Sequence, residues 1–224
     1  MKDDKKLMTI AVLGGTGKEG SGLAMRWALS GYNVIIGSRS AERAARRVEE
    51  LNARLGDSYM SGALNVDAAA RADLVVLSVP YSAHEATLEA VREAVRGKVL
   101  VDVTVPLKPP DVRTVHLPEG KSAALEAQAF LGEDVRVVAA FQNISAGHLK
   151  DPDHEIPCDV LVCGDDRDAK EEVIKLVEAA GMRGLDAGPL ANAIAVESMT
   201  PVLISLGRRY KSSGPGLRIT GIEM

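Results

Sequence analysis

Three short runs hold most of the residues able to bind or react with a ligand. The first, Gly15-Thr16-Gly17-Lys18-Glu19-Gly20, satisfies the pattern G-x-G-x-x-G. In a dinucleotide fold the first glycine permits a tight turn, the second lets a pyrophosphate approach the backbone, and the third lets helix and strand pack closely. The phosphates then rest on open N–H groups at a helix start near Lys18, where the helix dipole favours an anion. The second run is Gly37-Ser38-Arg39-Ser40, with Arg43 one helical turn further on. A fold selective for NAD places an acid at this point, whereas a 2′-phosphate calls for hydroxyl and guanidinium donors. Ser38, Arg39 and Arg43 therefore point to NADP(H), because the planar arginine fork matches a phosphate. The third run, Phe141-Gln142-Asn143-Ile144-Ser145-Ala146, leaves a strand beside the first two and is a candidate substrate wall.

Other reactive side chains form no convincing constellation. His84 follows Val79-Pro80 at the start of a helix and reads as a helix-surface histidine within reach of the site; His148 follows Ala146. His116 and His154 sit in polar loops. No pair of histidines, cysteines or carboxylates has metal-ligand spacing, and Asp165-Asp166 serve to start a helix. Ser145 and Ser198 lack His and Asp partners, so serine hydrolysis finds no support. No residue is assigned as catalytic. Reduction of a carbonyl would need a proton donor, for which only His84, His148 and Lys108 are at hand.

The elements that position these runs follow from hydrophobic period. The apolar residues Ile10, Val12 and Leu13 form a strand over 7–13, and Leu23, Trp27 and Ala28 mark a helix ending at Gly31. A strand over 32–38 and an amphipathic helix from Ala41 to Leu55 come next, the latter with the stripe Ala44, Val48, Leu51 and Leu55. Strands follow at 59–64, 73–80, 98–103 and 135–141, with helices over 82–96 and 122–131. This alternation predicts an α/β fold, a Rossmann doubly wound parallel sheet. Parallel strands point one way, so Val79 and Pro80 leave the sheet on the edge that carries Gly15, where such folds bind ligands. Both are placed near the ribose or nicotinamide. The polar segment 149–157, with Pro152 and Pro157, reads as a boundary between domains at 1–150 and 151–224. Beyond it come a strand over 159–163, a helix with the stripe Ala169, Val173, Leu176 and Ala180, and a short strand over 182–186. A long apolar helix over 190–209 and an extended tail complete a small C-terminal α/β domain. Ile194, Met199, Val202, Leu203 and Leu206 lie on more than one side of that last helix, which suggests burial by domain packing or by a second subunit.

Composition narrows the class. The 224 residues are 46% hydrophobic and 26% charged, which suits an ordinary globular chain. A net charge of -4 with scattered Lys and Arg argues against nucleic acid. Met1 to Lys6 form a charged leader without an apolar signal core, and no span approaches the ~18 apolar residues of a membrane helix. Cys158 and Cys163 flank an extended run, ~16 Å apart and beyond disulfide reach. Reduced thiols, no membrane segment and no export signal suit a cytoplasmic protein.

The chain resembles the NADPH-dependent reductases of the 5-deazaflavin coenzyme F-420 (F420) over nearly its whole length after the leader. The resemblance is carried by Leu13-Gly14-Gly15-Thr16-Gly17, Gly37-Ser38-Arg39, Val79-Pro80, Val162-Cys163-Gly164-Asp165-Asp166, Asp186-Ala187-Gly188-Pro189-Leu190, and Glu197-Ser198 with Thr200-Pro201. It implies a Rossmann domain with a small C-terminal domain, a homodimer, and hydride exchange between NADP(H) and coenzyme F420 as small-molecule co-substrate. By the same resemblance, Thr16 to Glu19 match the pyrophosphate loop, Ser38, Arg39 and Arg43 the 2′-phosphate site, and Val79 and Ala146 positions beside the nicotinamide. Family members often carry a histidine after the sixth strand; here Gln142 and Asn143 stand there. Gln142, Asn143 and Ile144 are therefore expected to shape the acceptor pocket through hydrogen bonds rather than protons. Two alternatives stay open: an NADPH-dependent reductase of a flavin or a small carbonyl or imine compound, and a non-catalytic NADPH sensor.

Overall fold

A computed structural model describes residues 8–222, so the charged leader over 1–6 and the first residue of the expected strand lie outside it. The elements run β1 (Thr9–Leu13), α1 (Lys18–Leu29), β2 (Asn33–Ser38), α2 (Ala41–Leu55), β3 (Met60–Leu64), α3 (Asn65–Arg71), β4 (Leu74–Leu77), α4 (His84–Val91), β5 (Val99–Asp102), α5 (Ala123–Leu131), β6 (Arg136–Ala139), α6 (Ala146–Leu149), β7 (Asp159–Gly164), α7 (Arg167–Ala179), β8 (Arg183–Asp186) and α8 (Ala193–Tyr210). All eight strands form one sheet in the order β3-β2-β1-β4-β5-β6-β7-β8. Pairing is parallel from β3 through β6, and β7 then runs antiparallel to β6 while β8 is parallel to β7. The segment between α6 and β7 is thus where the chain reverses. The strands after residue 151 continue the same sheet.

Period-2 alternation explains why both faces are covered. In β1, Ile10 and Val12 join the core under α1, α2 and α7, whereas Ala11 and Leu13 join the core under α3, α4, α5 and α8. β5 divides likewise, with Val99 and Val101 on the first face and Leu100 on the second. Strands buried on both faces read as continuous apolar runs, which is why they were legible in the sequence.

Several bounds differ from the sequence expectations. The apolar run over 73–80 is a strand only to Leu77; Ser78 to Pro80 leave the sheet and line the ligand edge. The helix expected over 82–96 opens as a single 3-10 turn, Tyr81–Ala83, and α4 ends at Val91. Helix α3 had no periodic signal, because seven residues span two turns with few apolar positions. Residues Leu190–Tyr210 are long and apolar enough to cross a membrane by length and composition, contrary to the sequence expectation. Their mixed apolar faces partly pack against the core, through Leu190, Ala193 and Val196.

Candidate functional site

The turn between β1 and α1 is built by close approaches. Gly14 has φ +72°, and a Cβ there would lie 2.4 Å from the Ser78 carbonyl oxygen. At Gly20 a Cβ would stand 3.0 Å from Gly15 Cα and 3.1 Å from Ser78 Oγ, so glycine there spares a tight contact as α1 packs against the β1 turn and the β4 end. Gly15 donates its N–H to the carbonyls of Val12 and Gly37, fixing the turn to both β1 and β2. Gly17 caps α1 without any side-chain acceptor. Gly17, Lys18 and Glu19 consequently present the start of α1 to a cavity of about 690 Å³, a volume suited to cofactor binding. Glu19 is half-buried in its wall, and burial pushes its carboxyl up to about 8.

The same cavity is lined by Val79, Pro80, Gln142, Asn143, Ile144 and Ala146, so nine of the expected residues surround one space. Gly15, Thr16, Ser38, Arg39 and Arg43 are not in its wall. Gly15 is buried under the turn and Thr16 is half-buried in it. Ser38 ends β2 and accepts the Ser40 N–H at 3.3 Å, while Ser40 caps α2 through the Arg43 N–H. Arg39 and Arg43 are exposed beside that end, and neither makes an ion pair among the described residues.

Beyond β6 the chain turns sharply at Phe141, whose φ of +74° is strained for an aromatic side chain. An edge-on contact with Trp27, with ring centroids 5.8 Å apart, helps to hold it, and Trp27 is itself anchored by its indole N–H to the Leu176 carbonyl at 2.8 Å. The turn places Gln142 and Asn143 in the cavity wall. Gln142 Nε2 donates to the Asp102 carbonyl at 2.7 Å, and Asn143 Nδ2 donates to the Asp159 carbonyl at 2.7 Å. Because a carbonyl only accepts, these bonds fix both amide orientations. Among the described residues Gln142 Oε1, Asn143 Oδ1 and Thr104 Oγ1 are buried without partners, and all three residues line the cavity. These oxygens are themselves closed off from the open space, so the wall meets the cavity through the remaining atoms of the three residues.

Sequence reasoning missed the opposite wall. Thr200, Leu203, Ile204, Gly207 and Arg208 of α8 and Gly214 and Pro215 of the tail close the cavity. Their advance signals were the apolar surface of the last helix, the Thr200-Pro201 pair that carries the resemblance, and the expectation that 151–224 contributes acceptor-site contacts. Thr200 Oγ1 donates to the Gln142 carbonyl at 2.7 Å, tying α8 to the β6 turn. The tail is moored through Asp159: its carboxylate accepts the Arg183 guanidinium and the Ile219 N–H, and its own N–H donates to the Leu217 carbonyl.

The histidines sort differently from the expectation. His84 is not on the surface: it is 2% exposed, and its Nε2 lies 2.6 Å from Asp102 Oδ2. A core carboxylate 18 residues away draws it inward. His148 is half-buried and stacks on the exposed His154 at 4.7 Å between centroids; His116 is half-buried and Lys108 exposed. Cys158 and Cys163 are free and buried, and burial raises both thiols, that of Cys163 to about 11. Among the described residues no cluster of three or more His, Cys, Asp or Glu could hold a metal.

The chain matches the family model described as NADP oxidoreductase coenzyme F420-dependent over residues 9–106. It is 44% identical to the F420-dependent NADP reductase of Methanothermobacter thermautotrophicus, across 96% of each chain. It is 41% identical to that of Methanocaldococcus jannaschii, across 97% of this chain and 100% of the relative. A crystal structure of a putative F420-dependent NADP-reductase from Arthrobacter sp. FB24 superposes with a TM-score of 0.80 at 29% identity, covering 95% of this chain and 99% of that one. With a dinucleotide turn, a cavity running from it to the β6 turn, and relatives alike from end to end, the chain belongs to the F420-dependent NADP reductase family.

Proposed function

We propose that the protein exchanges a hydride between NADP(H) and the deazaflavin coenzyme F420. The observation that carries this reading is the single cavity joining the first turn of α1 to Thr104, Gln142 and Asn143. The residues present fit both ligands. Gly15 to Glu19 form the pyrophosphate turn, and Ser38, Arg39 and Arg43 offer a hydroxyl and two guanidinium groups, unpaired among the described residues, for a 2′-phosphate at the end of β2. Val79, Pro80 and Ala146 flank the nicotinamide position. Gln142, Asn143 and Ile144 form the acceptor side.

When both ligands are bound, the chemistry supplied is a hydride passing between nicotinamide C4 and the facing ring carbon of the acceptor. The chain binds, orients and dries. Its apolar wall of Val79, Ile144, Leu203 and Ile204 would exclude water, and Gln142 and Asn143, held by the Asp102 and Asp159 carbonyls, would shape and orient the acceptor side. Neither amide titrates, so the acceptor side holds its ligand without moving a proton. Residues 1–150 act as the NADP-binding unit, and 151–224 supply acceptor-site and dimer contacts. The homodimer is supported by Val202, Leu206 and Tyr210, which leave a large apolar stripe on α8 exposed at four-residue spacing. We further place the protein in the cytoplasm, with no nucleic-acid or membrane partner, on its net charge of -4 and its free buried thiols.

The test is spectrophotometric. NADPH oxidation is followed with coenzyme F420, FMN, FAD or no acceptor, for the native protein and for Gln142→Ala. Turnover confined to the deazaflavin, with a raised acceptor KM in Gln142→Ala, is the expected result. Tight NADPH binding without deazaflavin turnover refutes the reading, and the flavin arms then separate another reductase from a sensor.

A further inference from the structure

One buried residue touches both polar sides of the acceptor wall. Asp102, at the end of β5, is 0% exposed. Its main-chain carbonyl accepts the Gln142 Nε2–H at 2.7 Å, and its Oδ1 accepts the Thr104 N–H at 2.9 Å. Its remaining oxygen, Oδ2, meets His84 Nε2 at 2.6 Å. Gln142 and Thr104 both line the cavity and both bond to Asp102, so the orientation of both depends on where Asp102 sits. His84 is the side chain that pins Asp102 from behind, and it does not line the ligand cavity.

We propose that His84 and Asp102 are positioning residues for the acceptor pocket: the imidazole holds the Asp102 carboxylate, and Asp102 holds Gln142 and Thr104 at the geometry that receives the acceptor ring. The inference rests on the reading of Gln142 as an acceptor-pocket residue. Its physical basis is that a buried carboxylate stripped of its partner must find another donor, and the nearest movable ones are those that aim Thr104 and Gln142. The phosphate turn is held separately, through Val12 and Gly37, so NADPH binding is insulated from the pair.

The experiment compares His84→Ala, His84→Gln, Gln142→Ala and the His84→Ala/Gln142→Ala double variant, with steady-state deazaflavin kinetics and NADPH Kd measured on the same preparations. His84→Ala is expected to raise the acceptor KM about tenfold or more, the consequence of a buried carboxylate left without its partner. NADPH Kd stays within about twofold of the native value, since binding of that ligand is not uniform with the lost interaction. His84→Gln, whose amide can donate to Oδ2, returns the KM to within about threefold. In the Gln142→Ala background the His84→Ala effect shrinks to less than about threefold, because coupled residues are not additive. If His84→Ala does not fold by its thermal melt, His84→Met, which fills the space without a hydrogen bond, takes its place. Equal losses of NADPH and acceptor binding, no rescue by glutamine, or independent losses in the double variant overturn the proposal. A shifted Gln142→Ala beside a native-like His84→Ala overturns the positioning role alone, whereas a native-like Gln142→Ala overturns the pocket reading and this inference with it.

Discussion

Replacing Arg183 by alanine tests how the tail is held over the cavity. Arg183 donates to Asp159 from Nε at 2.7 Å and from Nη2, and also reaches the Ile219 carbonyl at 2.8 Å. The Asp159 carboxylate is 3% exposed and the guanidinium 27%. Without Arg183 the buried Asp159 carboxylate keeps the Ile219 N–H but loses its opposite charge, and an uncompensated buried carboxylate costs about 3 kcal/mol, the lower end for a broken buried pair. For a chain of this size that is a fall in Tm of roughly 6–12 °C. The Arg183 hydrogen bonds, helped by the Ile219 N–H, hold the Asp159 carboxyl below its ordinary value of 3.8. Its contribution is therefore complete above 3.8 and lost as the pH falls through the lowered value, so the difference in Tm closes in acid. The loosened tail carries Gly214 and Pro215 away from the cavity, raising the acceptor KM while leaving NADPH Kd in place. Melts by circular dichroism across pH, with acceptor kinetics at neutral pH, measure both effects. A Tm within about 2 °C of native at neutral pH would refute the reasoning, since it would mean that the pair contributes less than about 1 kcal/mol.

Further outcomes are specific. If Arg39 and Arg43 hold the 2′-phosphate as proposed, Arg39→Ala and Arg43→Ala should each weaken NADPH about tenfold or more in fluorescence titrations and leave NADH little changed, the effect of losing one charge-assisted bond. Gly22→Ala should cost about 1–3 kcal/mol in urea unfolding, because its Cβ would lie 2.5 Å from Leu149 Cβ and 3.0 Å from the Leu149 carbonyl carbon. Glu197 is buried against the Ala123 and Ala124 N–H groups, and burial pushes its carboxyl up to about 8. Its contribution is complete below the ordinary value of 4.5 and declines as the pH rises through about 8, so the native Tm should drop across that window and Glu197→Gln should flatten the profile.

What the sequence determined by itself was local. Alternating and continuous apolar runs specified the strands because β1, β4 and β5 are buried on both faces. The glycines of the first turn were legible because G-x-G-x-x-G between a strand and a helix has a steric reason that the structure repeats at Gly20, where a side chain would crowd Gly15 and Ser78. Parallel direction then put Val79, Pro80 and the run from Gln142 to Ala146 on the edge of the sheet that carries Gly17. What the tertiary structure decided was every partner far along the chain. The reversal at β7 brings Asp159 under Asn143, the tail meets Asp159 across 60 residues, and α8 closes a wall whose other side begins at Gly17. His84 shows the difference most clearly: its place at a helix start suggested solvent, yet Asp102 draws it into the core. A pattern in sequence reports the face an element buries. It carries no record of which polar group, on which distant element, will satisfy a side chain once that face is dry.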